Sequence, residues 1–150
     1  MTAWIPLVAG VGSAVTGGFL LAFSAVVMPA LRSRPPAEAS ATMVAINEKA
    51  ERIPFAGVFL VTAVAAVVTI VTTVADPEPD SALRIVGASL YLAAVVSTIV
   101  VNVPLNRRLA AAGARRETFW PRFERVWMPW NHVRTALSVA GAIALLVALP

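Results

Sequence analysis

Cysteine is absent from this chain of 150 residues, and histidine occurs once. Without cysteine the protein has no disulfide, no thiolate metal ligand, no covalently attached haem and no thiol nucleophile. A single histidine also argues against a metal centre or a haem with two histidine ligands. The chain lacks a phosphate-binding glycine loop, a dinucleotide fingerprint and a nucleophile elbow. We therefore expect no resident metal and no other cofactor.

Charged residues are scarce, at 13% of the chain against 59% hydrophobic residues, and the mean hydropathy is +0.80. Soluble domains carry about 25% charged residues, so the bilayer is the expected solvent. All eight acidic residues lie outside the long apolar stretches, which argues against a proton-coupled transporter. The net charge of +4 comes from basic residues that flank those stretches. This pattern favours membrane lipid over nucleic acid as the partner.

Four apolar stretches are each close to the roughly 20 residues that a helix needs to cross a bilayer. They cover residues 4–31, 54–75, 83–103 and 130–149 approximately. Between the first two, residues 37–53 bring one set of side chains to a single side of a helix: Met43, Ile46, Asn47 and Ala50. We predict an all-α integral membrane four-helix bundle in one domain, residues 1–150. An additional interfacial helix, or a helical extension packed on the spans, joins spans one and two.

Basic residues are distributed unevenly between the two sides of the predicted bundle. The connections after spans one and three carry eleven of them, whereas the opposite side has only Arg84. The positive-inside rule therefore predicts a multi-pass protein of the cell membrane with its basic loops in the cytoplasm and both termini outside. No basic segment precedes Trp4, so the first stretch is interpreted as a retained span and not as a signal peptide.

Polar side chains gather at one end of the spans, where burial in lipid makes them costly and therefore informative. They are Asn102, Asn106, Asn131, His132 and Arg134, close to Trp127 and Trp130. Each has a structural alternative: the asparagines can bridge helices, the tryptophans can form an interfacial belt, and Arg134 can extend to a lipid phosphate. His132 lies about 100° round the helix from Asn131 and can face a different neighbour.

Small residues recur on the first span at Gly10, Ala14 and Gly18, and again at Ser13 and Gly17. Such residues let another helix approach closely. Packing within the bundle is the first interpretation, and assembly of a homo-oligomer through this face is the alternative.

Several motifs together resemble one known family. They are Gly18-Phe-Leu-Leu-Ala-Phe-Ser24, Val27-Met-Pro-Ala-Leu31, Ile46-Asn47, Asn102-Val-Pro-Leu-Asn106 and Trp127-Met-Pro-Trp-Asn-His-Val-Arg-Thr135. In sequence and order they are similar to the anthrone oxygenase-like family, also catalogued as a domain of unknown function. The resemblance implies a small four-helix membrane protein. For some fungal members it also implies oxidation of polyketide anthrones to anthraquinones without a cofactor.

Carried over to this chain, the resemblance implies a catalytic group of His132, Arg134 and Asn131. It implies substrate-binding residues as well: Asn47, Asn102, Asn106, Trp127 and Trp130. His132 would remove a proton from an apolar phenolic substrate, and Arg134 would stabilise the anion. The alternative is a non-catalytic membrane protein whose polar cluster binds a lipid, a quinone, another hydrophobic ligand or a partner protein.

Overall fold

A computed structural model describes residues 4–52 and 55–149, and within these ranges the chain is helical and contains no strand. Five helices follow one another: α1 (Trp4–Arg32), α2 (Pro36–Ala50), α3 (Phe55–Ala75), α4 (Ser81–Ala111) and α5 (Arg116–Val147). A short 3₁₀ turn, Gly113–Arg115, precedes α5. All except α2 belong to segments long and apolar enough to cross a membrane. The predicted all-α membrane fold is confirmed.

The outer surface of the bundle is apolar, as expected for a protein solvated by lipid. On α3 the exposed side chains are Leu60, Val61, Val64, Val67, Val71 and Val74. In water such a surface would favour association, but in a bilayer it contacts lipid chains. The many β-branched residues of α3 form a helix because a helix satisfies its own backbone hydrogen bonds where no water is present.

The four long helices form a ring in which each packs against two neighbours. α1 packs against α3 and α5, and α4 packs against the same two helices. The short helix α2 lies across one end, against α5, the last turn of α1 and the end of α4. Its apolar side buries Ala39, Met43 and Asn47. The helix predicted between spans one and two is therefore present and packs on the bundle.

The two ends of the core are built from residues of different size. Near α2, large side chains pack together: Phe23, Met28, Met43, Leu109, Phe123 and Trp127. Toward the other end the core consists largely of alanine with Tyr91 and Leu145. Glycine permits the closest helix contacts there, because a methyl group on Gly141 would lie 2.8 Å from the carbonyl oxygen of Gly87. Membrane helices commonly pack through such small residues.

Two of the helices extend well beyond the apolar stretches from which they were predicted. The connection expected between the stretches 83–103 and 130–149 is largely helical, because α4 continues to Ala111 and α5 begins at Arg116. The reversal between them needs only a tight turn in which Gly113 has φ of 54°, a backbone conformation that glycine adopts without strain. Hydropathy marks the part of a helix inside the bilayer and does not mark where the helix ends.

Candidate functional site

A cavity of about 210 Å³ opens among α1, the end of α2, the start of α3, α4 and α5. Five aromatic side chains line it: Phe19, Phe23, Phe55, Phe59 and Trp127. The cavity exceeds the roughly 150 Å³ that accommodates a benzene molecule and is smaller than the roughly 300 Å³ typical of the smallest drug-sized pockets. Its size and lining suit a flat aromatic molecule, part of which extends into the opening.

Arg134 is the charged group inside the bundle that borders this cavity, and only 5% of its surface is exposed. Its Nη1 donates to the hydroxyl of Thr98 at 3.3 Å, and its Nη2 donates to Oδ1 of Asn131 at 2.9 Å. The guanidinium carbon lies 5.5 Å from the centre of the Trp127 ring, within range of a cation–π interaction. The guanidinium is therefore held by neutral groups.

No carboxylate neutralises Arg134 in the part of the chain that the structure describes. The ion pairs found there join Arg32 to Glu124 and Arg84 to Glu78. The Nε of Arg134 has no hydrogen-bond partner among the described residues. A buried cation without a counter-ion is costly, and an anion bound beside it would offset that cost. The electrostatics of the cavity therefore suit an anionic ligand.

Asn131 lies behind the cavity wall and positions Arg134 by a hydrogen bond. Its fully buried amide accepts from Arg134 and donates to the carbonyl of Leu20 at 2.9 Å and to the hydroxyl of Ser24 at 2.8 Å. These bonds use both amide hydrogens and fix the side chain in one orientation. Together, Thr98, Arg134, Asn131 and Ser24 link α4 to α1 through α5.

The bundle departs from regular α-helix at two places beside the cavity. In α1 the turn Phe23–Val27 and in α4 the turn Thr98–Asn102 are π-helical. Each is followed two positions later by a proline, Pro29 or Pro104. Proline lacks an N–H and crowds the carbonyl four residues before it, and a wider turn relieves that crowding. The two π turns bring Phe23 and Thr98 to the cavity wall.

Two further amides border the cavity. Asn106 accepts a 3.0 Å hydrogen bond from the indole N–H of Trp127, which fixes that ring in the wall. Asn47 of α2 also lines the cavity, and its Nδ2 has no partner in the described ranges. An unpartnered buried donor costs about 1–3 kcal/mol. Asn47 is thus available to donate to a ligand oxygen.

A shallow groove on the outer surface lies next to the cavity, between α1, α2 and the start of α3. Both are lined by Phe19, Ala50 and Phe55. The rings of Phe19 and Phe55 stack with their centres 4.0 Å apart. This aromatic pair therefore lies between the cavity and the groove.

Comparison with known proteins identifies one family. The profile of the anthrone oxygenase family matches residues 50–144, nearly two thirds of the chain. The chain belongs to the anthrone oxygenase family. No match was found among curated proteins or among solved structures. Membership suggests an oxygenase and names no particular substrate for this chain.

The segment that matches the anthrone oxygenase family contains most of the polar lining of the cavity. Asn106, Trp127 and Arg134 lie inside it, together with Asn131 behind the wall. Asn47, which precedes the matched segment, also lines the cavity. Four of the residues predicted from the sequence therefore line it: Asn47, Asn106, Trp127 and Arg134. Their roles in binding and catalysis remain predictions.

Four of the residues predicted for the site do not line this cavity, and one of them, Asn131, lies behind its wall. His132 and Trp130 are exposed on the outer face of α5, with 39% of the Trp130 surface accessible. Successive helix residues are about 100° apart, so His132 points away when Asn131 and Arg134 point inward. Asn102 is buried, and neither atom of its amide has a partner within the described chain. His132, the predicted base, is thus not in contact with the cavity.

The sequence analysis missed the aromatic walls, Thr98 and Glu51. A signal for the walls was available, because Phe19 and Phe23 are four residues apart, as are Phe55 and Phe59, and such pairs share a helix face. Glu51 follows the last residue of α2 and is an exposed lining residue at the edge of the cavity. No pattern in the sequence linked it to the polar residues of α5.

The described chain contains no group of side chains that could hold a metal ion. In residues 4–52 and 55–149, no three His, Asp or Glu side chains come close enough together to hold a metal ion. The expectation that the protein works without a resident metal or cofactor stays a prediction.

Proposed function

We propose that this protein is a membrane oxygenase that binds a flat phenolic or anthrone-like molecule as its anion and allows that anion to react with O₂. One observation carries the proposal: a buried arginine that has no carboxylate partner among the described residues borders an aromatic cavity. Membership of the anthrone oxygenase family supports the same class of reaction. The substrate would be weakly acidic, because only its ionised form gains from Arg134.

The cavity walls would orient the substrate ring. Phe23 and Trp127 have ring centres 5.5 Å apart and offer aromatic faces and edges, a geometry that favours contact with another aromatic ring. An apolar substrate dissolved in the bilayer would reach the cavity past Phe19 and Phe55. The anionic oxygen would then lie beside Arg134, and Asn47 would donate a hydrogen bond to a second substrate oxygen.

Stabilisation of the anion is the main contribution that the protein would make. Ionisation of an anthrone spreads negative charge from the methylene carbon to the carbonyl oxygen. A fixed guanidinium in a cavity of low dielectric stabilises that charge more than water does. Thr98 and Asn131 hold the guanidinium before the substrate arrives, so little reorganisation is needed.

The reaction balances with O₂ as the only oxidant. A base removes one proton from the methylene carbon, and the carbanion forms a bond to O₂. The peroxide oxygen takes up a proton to give a hydroperoxide, which loses water as the second methylene hydrogen leaves. One anthrone and one O₂ give one anthraquinone and one water, so the carbon loses four electrons and O₂ accepts four.

Two residues are candidates for the base. Glu51 is the lining residue in the described chain with a side chain that can accept a proton. His132 was predicted for this role from the sequence, but from the outer face of α5 it would act only on a substrate outside the cavity. The geometry favours Glu51, since a general base must reach the proton that it removes.

Oxygen uptake by the detergent-purified, metal-stripped protein with a simple anthrone tests the proposal. We expect uptake above the spontaneous rate, and we expect Arg134→Gln to lower kcat by about 10²-fold or more, because it removes the charge that stabilises the anion. Arg125→Gln, an exposed arginine on the same helix, is the matched control and should leave uptake unchanged. Equal rates for Arg134→Gln and wild type would reject the proposal.

The same assay separates the two bases. Loss of a general base lowers the rate by about 10²–10⁴-fold, so Glu51→Gln should slow uptake by this amount while His132→Ala remains near wild type. The opposite result would restore the role predicted for His132 and would move the reaction out of the cavity.

The same cavity also supports a second candidate, a non-catalytic protein that binds an anionic apolar ligand such as an acidic lipid or a reduced quinone. Arg134 and the aromatic walls would serve that ligand equally well. Absence of O₂ uptake, combined with a co-purified amphiphile that is lost in Arg134→Gln, would favour this function.

A further inference from the structure

A second site lies at the turn between α4 and α5, away from the aromatic cavity. A groove of about 510 Å³ is lined by the end of α4, the 3₁₀ turn and the first turns of α5. Its lining residues are Arg108, Ala111, Ala112, Arg115, Thr118, Phe119 and Arg122. None of them lines the cavity that contains Arg134, so the groove has no part in the proposed oxidation.

The groove is strongly basic. Three guanidinium groups, from Arg108, Arg115 and Arg122, line it together, and no acidic residue of the described chain does. Neither ion pair found in the described ranges uses these arginines. Three like charges at one groove repel each other, and a bound anion would relieve that repulsion.

The local fold explains why these side chains converge. On α5 and the turn before it, Arg115, Thr118, Phe119 and Arg122 occupy positions i, i+3, i+4 and i+7 and so share one helix face. Arg116, which points elsewhere, donates to the carbonyls of Leu109 and Ala110 and so ties the start of α5 to the end of α4. The groove thus lies on a turn whose two helices are joined by hydrogen bonds.

The composition of the groove suits a phospholipid head group. Arginine binds phosphate oxygens through two parallel hydrogen bonds. The hydroxyl of Thr118 donates to the carbonyl of Arg115 at 2.8 Å and so helps to order the turn that carries these arginines. Phe119 and two alanines add apolar surface beside the charges, and Phe119 also packs against the core cluster near α2. Basic pockets at the ends of membrane helices bind anionic lipid head groups in this manner.

We propose that the groove formed by Arg108, Arg115 and Arg122 at the α4–α5 turn is a binding site for the phosphate of an anionic membrane phospholipid. The lipid chains would lie along the apolar outer surface of α5, where Val126 and Val133 are exposed. This arrangement would attach the turn to one leaflet and restrain the basic end of α5.

Native mass spectrometry of the detergent-purified protein tests this site with two probes, phosphatidylglycerol and phosphatidylcholine of the same chains. Both carry a phosphate, but only the first has a net negative charge. We expect wild-type protein to bind phosphatidylglycerol at least about tenfold more tightly, because each basic residue near the head group strengthens binding to anionic lipid. The variant Arg108→Gln/Arg115→Gln/Arg122→Gln should lose this preference.

A matched control carries the same change in charge elsewhere. Arg34→Gln/Arg107→Gln/Arg125→Gln removes three exposed arginines that do not line the groove, and it should keep the preference. Equal loss in both triple variants would overturn the proposal and attribute binding to overall charge. Since three changes could disturb the turn, Arg115→Gln alone should weaken the preference while the helix content measured by circular dichroism is unchanged.

Inorganic phosphate distinguishes lipid from a free phosphate ligand. Added at the same ionic strength as a sodium chloride control, it should displace phosphatidylglycerol no better than chloride does, because it lacks the contacts of the acyl chains. Selective displacement by inorganic phosphate would overturn the lipid assignment.

Discussion

At the scale of single residues, the central feature is a cation whose partners are all neutral. Arg134 could have been a surface residue reaching a lipid phosphate, as the sequence allowed, yet its guanidinium is buried and held by Thr98 and Asn131. Two hydrogen bonds to neutral groups orient the charge without cancelling it. This arrangement keeps the field of the cation available to a ligand.

The amide of Asn131 offers a direct test of that idea. Asn131→Asp keeps the shape of the side chain but places a carboxylate against the Nη2 atom that Asn131 now binds at 2.9 Å. We expect the anionic form of an anthrone to bind about 10²-fold more weakly, because like charges brought together cost several kcal/mol. Binding is measured under nitrogen, from the absorbance of the anion, so that no substrate is consumed.

The comparison variant is Asn131→Ala, which removes all the hydrogen bonds of the amide without adding charge. If the free charge of Arg134 matters, Asn131→Asp must weaken binding more than Asn131→Ala does. Equal affinities in the two variants would mean that Asn131 only positions Arg134 and that neutralising the cation has no effect.

At the scale of helices, small residues determine how closely the elements approach. Ser13 and Gly17 of α1 face α5, where the Ser13 hydroxyl donates to the carbonyl of Ser138 at 2.8 Å. Gly10 also packs inside the bundle, whereas a methyl group on Gly18 would meet no described atom within 4 Å. Gly10, Ser13 and Gly17, on the small-residue face of span one, thus pack within the bundle. A homo-oligomer through Gly18 stays a prediction.

The contact between α4 and α5 yields a stability prediction. In Gly141→Ala the new methyl group would lie 2.8 Å from the Gly87 oxygen and 3.3 Å from the Tyr91 nitrogen, and backbone atoms cannot move aside independently. We expect a loss of about 1–3 kcal/mol from this overpacking, seen as a lower Tm in detergent. Gly18→Ala is the matched control and should not lower Tm. A Gly141→Ala protein as stable as wild type would show that α4 and α5 can separate at little cost.

At the scale of the whole molecule, the uneven charge predicts orientation in the membrane. The basic connections adjoin α2 and the α4–α5 turn at one end, and the acidic turn between α3 and α4 lies at the other. The structure contains no membrane, so the placement of both termini outside the cell stays a prediction from the positive-inside rule.

The absence of cysteine makes this orientation easy to measure. Single cysteines at Ser33 and Asp76, both exposed and at opposite ends of the bundle, can be labelled with a membrane-impermeant maleimide. We expect Asp76→Cys to react in intact cells and Ser33→Cys to react only after lysis, because the basic loops should remain inside. The reverse pattern would invert the topology.

The sequence by itself determined the number of spans, the class of fold and the end at which the polar groups collect. Those features follow from length, hydropathy and the position of charges, which do not depend on how the helices turn. It also identified Arg134, Trp127, Asn106 and Asn47, because polar or amphipathic groups near a span stand out against an apolar background.

Only the tertiary structure decided which side chains face inward. In lipid both faces of a span are apolar, so periodicity gives little information on rotation, and one residue step of about 100° separates buried Asn131 from exposed His132. The π turns beside Pro29 and Pro104 shift the register further. The aromatic cavity depends on contacts among helices distant in sequence, and for this reason the sequence did not reveal Glu51 as its neighbour.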